Sequence, residues 1–285
     1  MRTAEAAGLL REARLARLPR RPFTDTHPAL DADWGYRVQD LDRADRLVAG
    51  ERHVGAKLGL TSRAKQRTMG VEQPVVGFLT DAMRLCAGAV EQVLDRTAQP
   101  RVEPEVAFRL ARDLDRPLTP WTAGQAVDAV AVAVEVIDSR YAGFGFRLPD
   151  VVADNTSAAG FLVGRWQHRR TVEDLSTAGC LLSVDGVVAH TATGAAILGH
   201  PLRALVHLSE HLARRGERLP AGALVLAGAL TEPFRCGPGR CTGPRFAASA
   251  LWSSLLDAAR SGPGPRGSDR TRSVRPAAAI RRGLG

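Results

Sequence analysis

Residues 99–108 read QPRVEPEVAF and place Glu103 and Glu105 on either side of Pro104, in a segment that otherwise has the apolar pattern of a β-strand. Because side chains alternate between the two faces of a strand, both carboxylates share one face. Proline cannot donate a ladder hydrogen bond, so Pro104 predicts a sheet edge or an irregularity in the pairing. By itself, such a Glu-x-Glu pair is typical of a solvated edge strand.

A third glutamate changes this interpretation. Glu135 lies in VAVAVEVID, residues 130–138, where its neighbours are apolar on both sides. A carboxylate buried in such a strand must be paired with a cation or bound to a metal. Three converging carboxylates are hard oxygen ligands that suit Mg²⁺ or Mn²⁺, with the remaining positions left to water and substrate. Glu103, Glu105 and Glu135 are therefore the predicted metal ligands.

A lysine lies in another predicted strand, HVGAKLGLTS, residues 53–62. Alternation puts Lys57 on one face between Gly55 and Gly59, which predicts open space beside its ammonium group. Only Lys57 and Lys65 are lysines among the 39 basic residues, so each marks a position where this arginine-rich chain does not use arginine. Lys57 is thus expected to supply a cation with room beside it.

The composition excludes several classes of protein. The 285 residues are 45% hydrophobic and 24% charged, which is ordinary for a chain with a substantial core. No apolar stretch reaches the ~20 residues of a membrane span, and the N-terminus lacks the apolar region of a secretory signal.

Residues 236–285 hold nine arginines against two acidic residues and so carry most of the net charge of +9, which argues against a nucleic-acid groove in the fold itself. Four cysteines without a secretory signal predict a reducing cytoplasm rather than a disulfide framework.

Periodicity predicts alternating helices and strands along the chain. Helices are expected to about Gly50, over TSRAKQRTMG, and over HPLRALVHLSEHLARRG up to Gly216. A further helix is expected from about Thr122 through AVDAVAVAV, passing into a strand at VEVIDSR. CLLSVDGVVAHTATG predicts a hairpin that turns at Asp185 and Gly186.

Three other motifs have simpler interpretations. HLSEH, from His207 to His211, matches the H-x-x-E-H pattern of some zinc peptidases, but its amphipathic pattern favours a surface helix. Asn155, the only asparagine, lies in VADNTS, where an Asx turn and a binding role are both open. Cys236 and Cys241 form a C-x₄-C without a second half, which argues against a zinc site.

Five blocks of the sequence resemble the family of 2-keto-4-pentenoate hydratases and 4-oxalocrotonate decarboxylases, within the fumarylacetoacetate hydrolase superfamily. These blocks read GAKLGLTSRAKQRTMGVEQPVVGFLTDAM, PRVEPEVAFRLARDL, VEVIDSRY, VVADNTSAAGFLVG and GAAILGHPLRALVHLSEHLARRGERLPAGALVLAGAL. Together they cover most of residues 30–231, which is far more specific than any single motif. Within the family, GFLTDAM, EVIDSRY and GAAILGHP look more like the decarboxylases than the hydratases.

The resemblance implies an α/β fold, a fumarylacetoacetate hydrolase-like mixed β-roll with flanking helices. It also implies a divalent metal, Mg²⁺ or Mn²⁺, on the three glutamates. Four further residues are implied beside the substrate: Lys57 and Asp154 as catalytic groups, and Ser157 and Asn155 as substrate-binding groups. In this hypothesis Lys57 holds substrate charge and manages protonation, and Asp154 orients Lys57 or relays a proton.

The resemblance further implies a lyase of aromatic meta-cleavage catabolism. The expected reaction is metal-dependent decarboxylation of 4-oxalocrotonate (2-oxohex-3-enedioate) to 2-hydroxypenta-2,4-dienoate and CO₂. The alternative is a hydratase that adds water to 2-hydroxypenta-2,4-dienoate (2-keto-4-pentenoate); a zinc peptidase through His207 and His211 and a non-catalytic scaffold are remoter. The expected partners are a small 2-oxo acid, further copies of the chain and a partner hydratase, with no nucleic acid and no membrane.

Three parts are expected along the chain. Residues 1–80 form an N-terminal helical and α/β subdomain, residues 81–235 a metal-binding catalytic β-roll domain, and residues 236–285 a basic Gly/Pro/Arg-rich tail that is largely disordered. After GALTEP the turn and two short strands usual in the family do not appear, and only FAASALWSSLLDAAR keeps helical periodicity. Two hypotheses account for this change: translation out of frame in a GC-rich gene, which resequencing tests, or a divergent C-terminus that packs in its own way.

Overall fold

The computed structural model describes residues 1–86, 96–168, 175–184, 187–235 and 247–250. Within these residues, helices and a mixed β-sheet alternate along the chain, as the predicted α/β class requires. The described residues belong to one compact unit, and residues 251–285 lie outside the described part. None of the described helices combines the length and the apolarity that a membrane crossing needs.

The described helices are α1 (Thr3–Ala16), α2 (Ala32–Val48), α3 (Arg63–Met69), α4 (Pro120–Ala123), α5 (Leu148–Ala153) and α6 (Leu202–Arg215). The described strands are β1 (His53–Gly59), β2 (Val75–Thr80), β3 (Arg101–Leu110), β4 (Val127–Ile137), β5 (Ala158–Val163), β6 (Gln167–His168), β7 (Gly179–Val184), β8 (Val187–Thr193), β9 (Leu224–Ala229), β10 (Phe234–Arg235) and β11 (Ala247–Ala250).

The larger sheet has the order β2-β1-β9-β3-β4-β5, with β10 also paired to β3 and β6 to β4. Strands β1 and β9 are parallel, and the other pairs are antiparallel. A second sheet has the order β11-β7-β8. The long strands β3 and β4 thus lie inside the larger sheet, and their facing side chains are fixed by neighbours on both sides.

The predicted helix boundaries hold where a capping group is present. Asp31 accepts a hydrogen bond from the N–H of Trp34 at the start of α2, and Ser62 accepts one from the N–H of Lys65 at the start of α3. Helix α3 ends at Gly70 with a left-handed φ of 64°, a conformation that glycine adopts without strain. Helix α3 is therefore held at both ends next to the strand that carries Lys57.

The helix expected from Thr122 through residues 126–134 is wrong. Helix α4 ends at Ala123, and the Ala/Val run belongs to the 11-residue strand β4. Alternating valines favour an extended chain, and β4 pairs with β3 on one side and with β5 and β6 on the other. A strand enclosed in this way is apolar on both faces, a pattern that short windows do not separate from a buried helix.

Pro104 marks an irregularity and not a sheet edge. Its carbonyl accepts a hydrogen bond from the N–H of Leu230, just after β9 ends. The β3–β9 register shifts between Glu105 and Ala107, and β10 takes over the pairing only at Val102. The missing N–H of Pro104 therefore falls in the gap between β9 and β10, where no ladder bond is lost.

Part of the predicted tail is also a strand. Residues 247–250 form β11 on the edge of β7, although their periodicity predicted a helix. The open edge of β7 supplies backbone partners that a single-sequence pattern does not contain. The hairpin turn at Asp185 and Gly186, the pair Cys236 and Cys241, and residues 251–285 lie outside the described residues, and the domain boundaries at residues 80 and 235 stay predictions.

Candidate metal centre and active site

The structure brings the three predicted glutamates together. Glu103 and Glu135 are directly opposite each other in the β3–β4 pair, and Glu105 lies two residues further along β3 on the same face. One carboxylate oxygen from each lies within 4.8 Å of the other two. Glu103, Glu105 and Glu135 are only 6%, 1% and 0% exposed, so three acidic groups share one buried volume.

The donor atoms of this cluster fit a divalent cation. Glu105 Oε2 accepts a hydrogen bond of 2.8 Å from the N–H of Gly228, whereas Glu105 Oε1 and Glu135 Oε2 have no hydrogen-bond partner among the described residues. Burial, and after it the neighbouring Glu135, raises the pKa of Glu105 well above its usual range; burial also raises the pKa of Glu135. Buried carboxylate oxygens that lack donors are the ligands Mg²⁺ and Mn²⁺ prefer.

Lys57 is the cation beside this cluster. Its Nζ lies 3.0 Å from Glu135 Oε1 and donates a hydrogen bond of 2.9 Å to the carbonyl of Thr156, and the residue is 2% exposed. The flanking glycines do not create the open space that the sequence predicted. A Cβ on Gly55 would lie 1.9 Å from the carbonyl oxygen of Leu224, so this glycine allows β9 to approach β1.

Lys65 is a second cation at the cluster, and the sequence did not assign it a role. Helix α3 places its Nζ 3.1 Å from Glu103 Oε1. Burial lowers the pKa of Lys65, but the carboxylates of Glu103, Glu232 and Glu105 together outweigh burial, so the pKa is raised. The only signal in the sequence was that Lys65 is one of two lysines in an arginine-rich chain.

Asp154 is paired with Arg140 and not with Lys57. Arg140 Nε contacts Asp154 Oδ1, and the backbone N–H of Arg140 donates to Asp154 Oδ2 at 3.0 Å. Both residues are buried, and burial raises the pKa of Asp154 to about 6 although Arg140 opposes the shift. The carboxylate of Asp154 therefore faces a guanidinium group, and the expectation that Asp154 orients Lys57 or relays a proton stays a prediction.

The side chain of Asn155 is bonded to the protein, and its expected substrate-binding role stays a prediction. Its side-chain oxygen accepts from the N–H of Phe78, and its amide donates to the carbonyl of Phe78, so both ends are tied to β2. A Cβ on Gly77 would lie 2.6 Å from Thr156 Oγ1, which shows how closely β2 and this loop approach. The side chain of Asn155 thus fixes the loop, and it does so without forming an Asx turn.

The loop itself is held in an uncommon conformation. Asn155, Thr156 and Ser157 have φ values of 46°, 51° and 62°, three consecutive non-glycine residues in the left-handed region. This turn aims the carbonyl of Thr156 at Lys57. Thr156 Oγ1 is buried without a hydrogen-bond partner among the described residues, a feature that the sequence did not indicate.

A cavity of about 440 Å³ borders one side of this site. Its polar lining includes Lys57, Lys65, Glu103, Thr156 and Ser157. Its remaining walls are largely apolar and include Met69, Phe144 and Phe146. Arg101, two residues before Glu103 on β3, also lines the cavity. A small acid with a polar head and a short carbon chain matches this division of the lining.

His207 and His211 lie apart from this centre. The ring of His211 packs against Tyr36 with centroids 4.7 Å apart, and His207 Nδ1 lies 3.9 Å from Glu210. Burial, followed by Arg215, lowers the pKa of His211 to about 4. Across the described ranges, the glutamate cluster is the only group of three or more residues whose ligand atoms converge, so HLSEH has no third ligand there.

Comparisons with known proteins agree with this geometry. The family model described as fumarylacetoacetate (FAA) hydrolase C-terminal matches residues 53–248. A 4-oxalocrotonate decarboxylase from a Pseudomonas species is 47% identical over 202 residues, which are 71% of this chain and 78% of the relative. A 2-keto-4-pentenoate hydratase from Paraburkholderia xenovorans is 39% identical over 82% of this chain and 87% of its own length.

A solved structure extends the comparison to the fold. The 4-oxalocrotonate decarboxylase of Pseudomonas putida G7, complexed with magnesium and adipate, has a TM-score of 0.78 and 34% identity, over 83% of this chain and 90% of that one. The same enzyme has also been solved with calcium and acetate. The predicted family resemblance and the predicted α/β fold are confirmed.

Proposed function

The chain belongs to the fumarylacetoacetate hydrolase family, and we propose that it is a metal-dependent lyase that decarboxylates 4-oxalocrotonate to 2-hydroxypenta-2,4-dienoate and CO₂ in aromatic meta-cleavage catabolism. The observation that carries this proposal is the buried cluster of Glu103, Glu105 and Glu135, in which Glu105 Oε1 and Glu135 Oε2 lack donors among the described residues and which adjoins a cavity sized for a small acid. The similarity to a 4-oxalocrotonate decarboxylase supports the choice of substrate.

We propose that the three glutamates hold Mg²⁺ or Mn²⁺. When bound, such an ion supplies Lewis-acid chemistry, because it withdraws electrons from the keto oxygen of a 2-oxo acid. The donor set supports this assignment, since it consists of hard carboxylate oxygens without thiolate or imidazole.

The proposed reaction sets three tasks for the residues around the cavity. The C5–C6 bond of 2-oxohex-3-enedioate breaks, and C6 leaves as CO₂. The electron pair of that bond moves through the C3–C4 double bond to the C2 oxygen, where one proton is taken up to give the enol product. The protein must hold the 2-oxo acid end, stabilise the charge that arrives at the C2 oxygen and provide a proton there.

Lys57 is suited to the last two tasks. An ammonium group has three N–H donors, and Glu135 and the carbonyl of Thr156 account for two of them. We assign the third donor to the C2 oxygen of the substrate. Because Lys57 is almost completely buried, its charge acts there with little screening by water.

The loop before β5 completes the proposed site. Thr156 and Ser157 line the cavity, and we assign their hydroxyls to the carboxylate of the 2-oxo acid end. Asp154 accepts from Arg140 and, more weakly at 3.4 Å, from Ser157 Oγ. We therefore assign Asp154 as a positioning residue that holds the loop, in place of the direct role that the sequence suggested.

A hydratase is the second candidate, favoured by the similarity to 2-keto-4-pentenoate hydratases. It would use the same metal ligands and the same cavity, but water would add to 2-hydroxypenta-2,4-dienoate and no CO₂ would form. Both candidates are lyases, and the distinction lies in the substrate that the cavity accepts.

A direct assay tests the proposal. Purified protein with Mg²⁺ should consume 2-hydroxymuconate or its keto tautomer with release of one CO₂ per molecule. EDTA treatment or Glu103→Ala should abolish turnover, and unchanged turnover would contradict the metal assignment. Consumption of 2-hydroxypenta-2,4-dienoate without CO₂ release would identify a hydratase. His207→Ala is the matched control, since it should keep full activity; bound zinc that this variant loses would instead support a peptidase.

We also propose that the chain assembles with further copies of itself or with a hydratase, and that it acts in the cytoplasm. Trp121 and Val48 support an assembly, since both are large apolar residues that the single chain leaves about nine-tenths exposed. Light scattering of the purified protein, alone and mixed with a hydratase of the same pathway, measures the assembly. A scaffold would assemble in this experiment without turnover in the CO₂ assay.

A further inference from the structure

Arg101 lies in the cavity beside the metal centre and has no assigned role. It precedes Glu103 by two residues on β3, so both side chains lie on the same face of the strand. It is the only arginine among the described residues that line this cavity. The sequence did not single it out, because Arg101 is one of 37 arginines.

The guanidinium group of Arg101 is held in place by an aromatic ring. Its Cζ lies 3.7 Å from the centroid of the Phe144 ring, a cation–π stack that leaves the N–H groups at the edge of the plane free to donate. Phe144 lines the same cavity. The stack thus fixes a planar donor group at the cavity wall before any ligand arrives.

Arg101 is also the unpaired cation of the cavity. Lys57 is paired with Glu135 and Lys65 with Glu103, whereas Arg101 forms no ion pair or hydrogen bond with a carboxylate in the described part of the chain. One of its two cross-strand neighbours is another arginine, Arg235 on β10. This pair of like charges across the strands leaves Arg101 available to an anion at the cavity wall.

The distances agree with a second carboxylate on the substrate. Residues two apart on a strand are separated by about 7 Å. In an extended six-carbon dicarboxylate, four bonds of about 1.5 Å each separate the keto carbon from the distal carboxylate carbon. A substrate whose 2-oxo acid end lies at Glu103 therefore reaches Arg101 with its other end.

We propose that Arg101, stacked on Phe144, binds the distal carboxylate of a 2-oxo dicarboxylate and selects such acids over 2-oxo monocarboxylates. This inference rests on the proposed function, since it names the group that recognises the far end of the same substrate. Arg101 is thereby a specificity residue, and it need not take part in the transfer of a proton.

Two ligands of equal length test the assignment. 2-Oxoadipate and 2-oxohexanoate share six carbons and the 2-oxo acid end, and they differ only in the distal carboxylate. Calorimetric titration in excess Mg²⁺ should show tighter binding of 2-oxoadipate to the wild type. Arg101→Met should weaken 2-oxoadipate binding by about 10- to 100-fold, the range for a charge-assisted hydrogen bond, and change 2-oxohexanoate binding by less than about twofold.

Controls separate charge recognition from structural damage. Arg101→Lys should restore part of the loss for 2-oxoadipate, because it keeps a charge but not the planar donor pair. Arg109→Met on the same strand removes an arginine that is paired with Asp128 at 2.5 Å outside the cavity, and it should leave both ligands unaffected. Should Arg101→Met fail to fold, Arg101→Gln takes its place in the same titrations.

Two results of these titrations would overturn the assignment of Arg101. An equal loss for both ligands would overturn the proposal, because Arg101 would then bind the shared 2-oxo acid end; no loss for either would also overturn it. CO₂ release by the wild type is measured separately. A wild type that releases no CO₂ yet binds 2-oxoadipate through Arg101 would refute decarboxylation and leave the assignment of Arg101 standing.

Discussion

Replacing Glu105 by glutamine is expected to stabilise the metal-free protein and to remove its response to metal. The glutamine carbonyl can keep the hydrogen bond that Gly228 donates to Oε2. Its amide nitrogen then replaces Oε1, which has no partner among the described residues, and can donate to Glu135. One buried negative charge is thus exchanged for a hydrogen-bond donor of nearly the same size.

The size of the effect follows from the separation of the carboxylates. Two unit charges at the 4.8 Å that bounds this cluster repel each other by about 3.5 kcal/mol at an effective dielectric constant of about 20. Lys57 offsets part of this repulsion, and so does partial protonation, because burial and Glu135 raise the pKa of Glu105. We therefore expect Glu105→Gln to raise the free energy of unfolding by about 1–3 kcal/mol in EDTA at pH 8.

The dependence on pH has a definite sign. The folded-state pKa of Glu105 lies above its unfolded value, so its contribution to stability is complete below the ordinary carboxyl pKa and is lost as the pH rises through the raised value. Without metal, the wild type should lose stability as the pH rises from about 4 upward. Glu105→Gln should lack that part of the decline.

Urea unfolding in EDTA and in Mg²⁺ measures both effects. At a free Mg²⁺ concentration of 100 times Kd, the wild type should gain about 2.7 kcal/mol, and Glu105→Gln almost nothing. Glu12→Gln removes an exposed acid on α1 and should change neither value. A Glu105→Gln protein that is less stable than the wild type in EDTA and still responds to Mg²⁺ would refute the reasoning.

Three further changes test other parts of the site. Lys57→Met should lower kcat by about 10²- to 10⁴-fold in the CO₂ assay and keep Mg²⁺ binding by calorimetry; a normal kcat would remove Lys57 from the mechanism. Gly228→Ala should lower the free energy of unfolding in urea by about 1–3 kcal/mol, because φ is 112° and the new Cβ would lie 2.1 Å from Thr61 Oγ1; an unchanged free energy would contradict this packing. Asp154→Asn leaves Arg140 buried without a counter-charge and should cost about 3–5 kcal/mol in thermal unfolding at pH 8. That cost should grow as the pH falls from about 6 towards 4, because burial raises the folded-state pKa of Asp154 to about 6, above its unfolded value, and the wild type gains a stability on acidification that Asp154→Asn lacks; a cost that shrinks over this range would count against it.

The carboxylate cluster was accessible from the sequence because it depends on local rules. Strand alternation alone puts Glu103 and Glu105 on one face. Glu135 was conspicuous because it is charged in an apolar run. What the sequence lacked was the register that sets Glu103 opposite Glu135, which arises from pairing between strands about 30 residues apart.

The residues that sequence reasoning missed depend on tertiary neighbours. Asp154 was assigned to Lys57 because the family resemblance implied a catalytic role for both residues. In the structure the carboxylate of Asp154 is paired with Arg140 instead. Asn155 looked like a ligand residue, but the approach of β2 uses both of its polar atoms. Arg101 carried no signal, since arginine is common in this chain and only packing shows which guanidinium group lies unpaired in the cavity.

The two candidate activities share one metal centre, so their difference must lie in the cavity walls. A decarboxylase must bind a distal carboxylate that loses its charge as CO₂ leaves, whereas a hydratase substrate has none. A contact with that carboxylate is therefore strong in the ground state and weaker in the transition state, so it favours binding without lowering the barrier. For Arg101→Met this implies a raised KM for 2-oxohex-3-enedioate with kcat unchanged or increased, the pattern opposite to that of Lys57→Met. In this proposal two residues two positions apart on β3 have different roles: Glu103 binds the metal that the reaction needs, and Arg101 supplies the positive charge that selects the substrate.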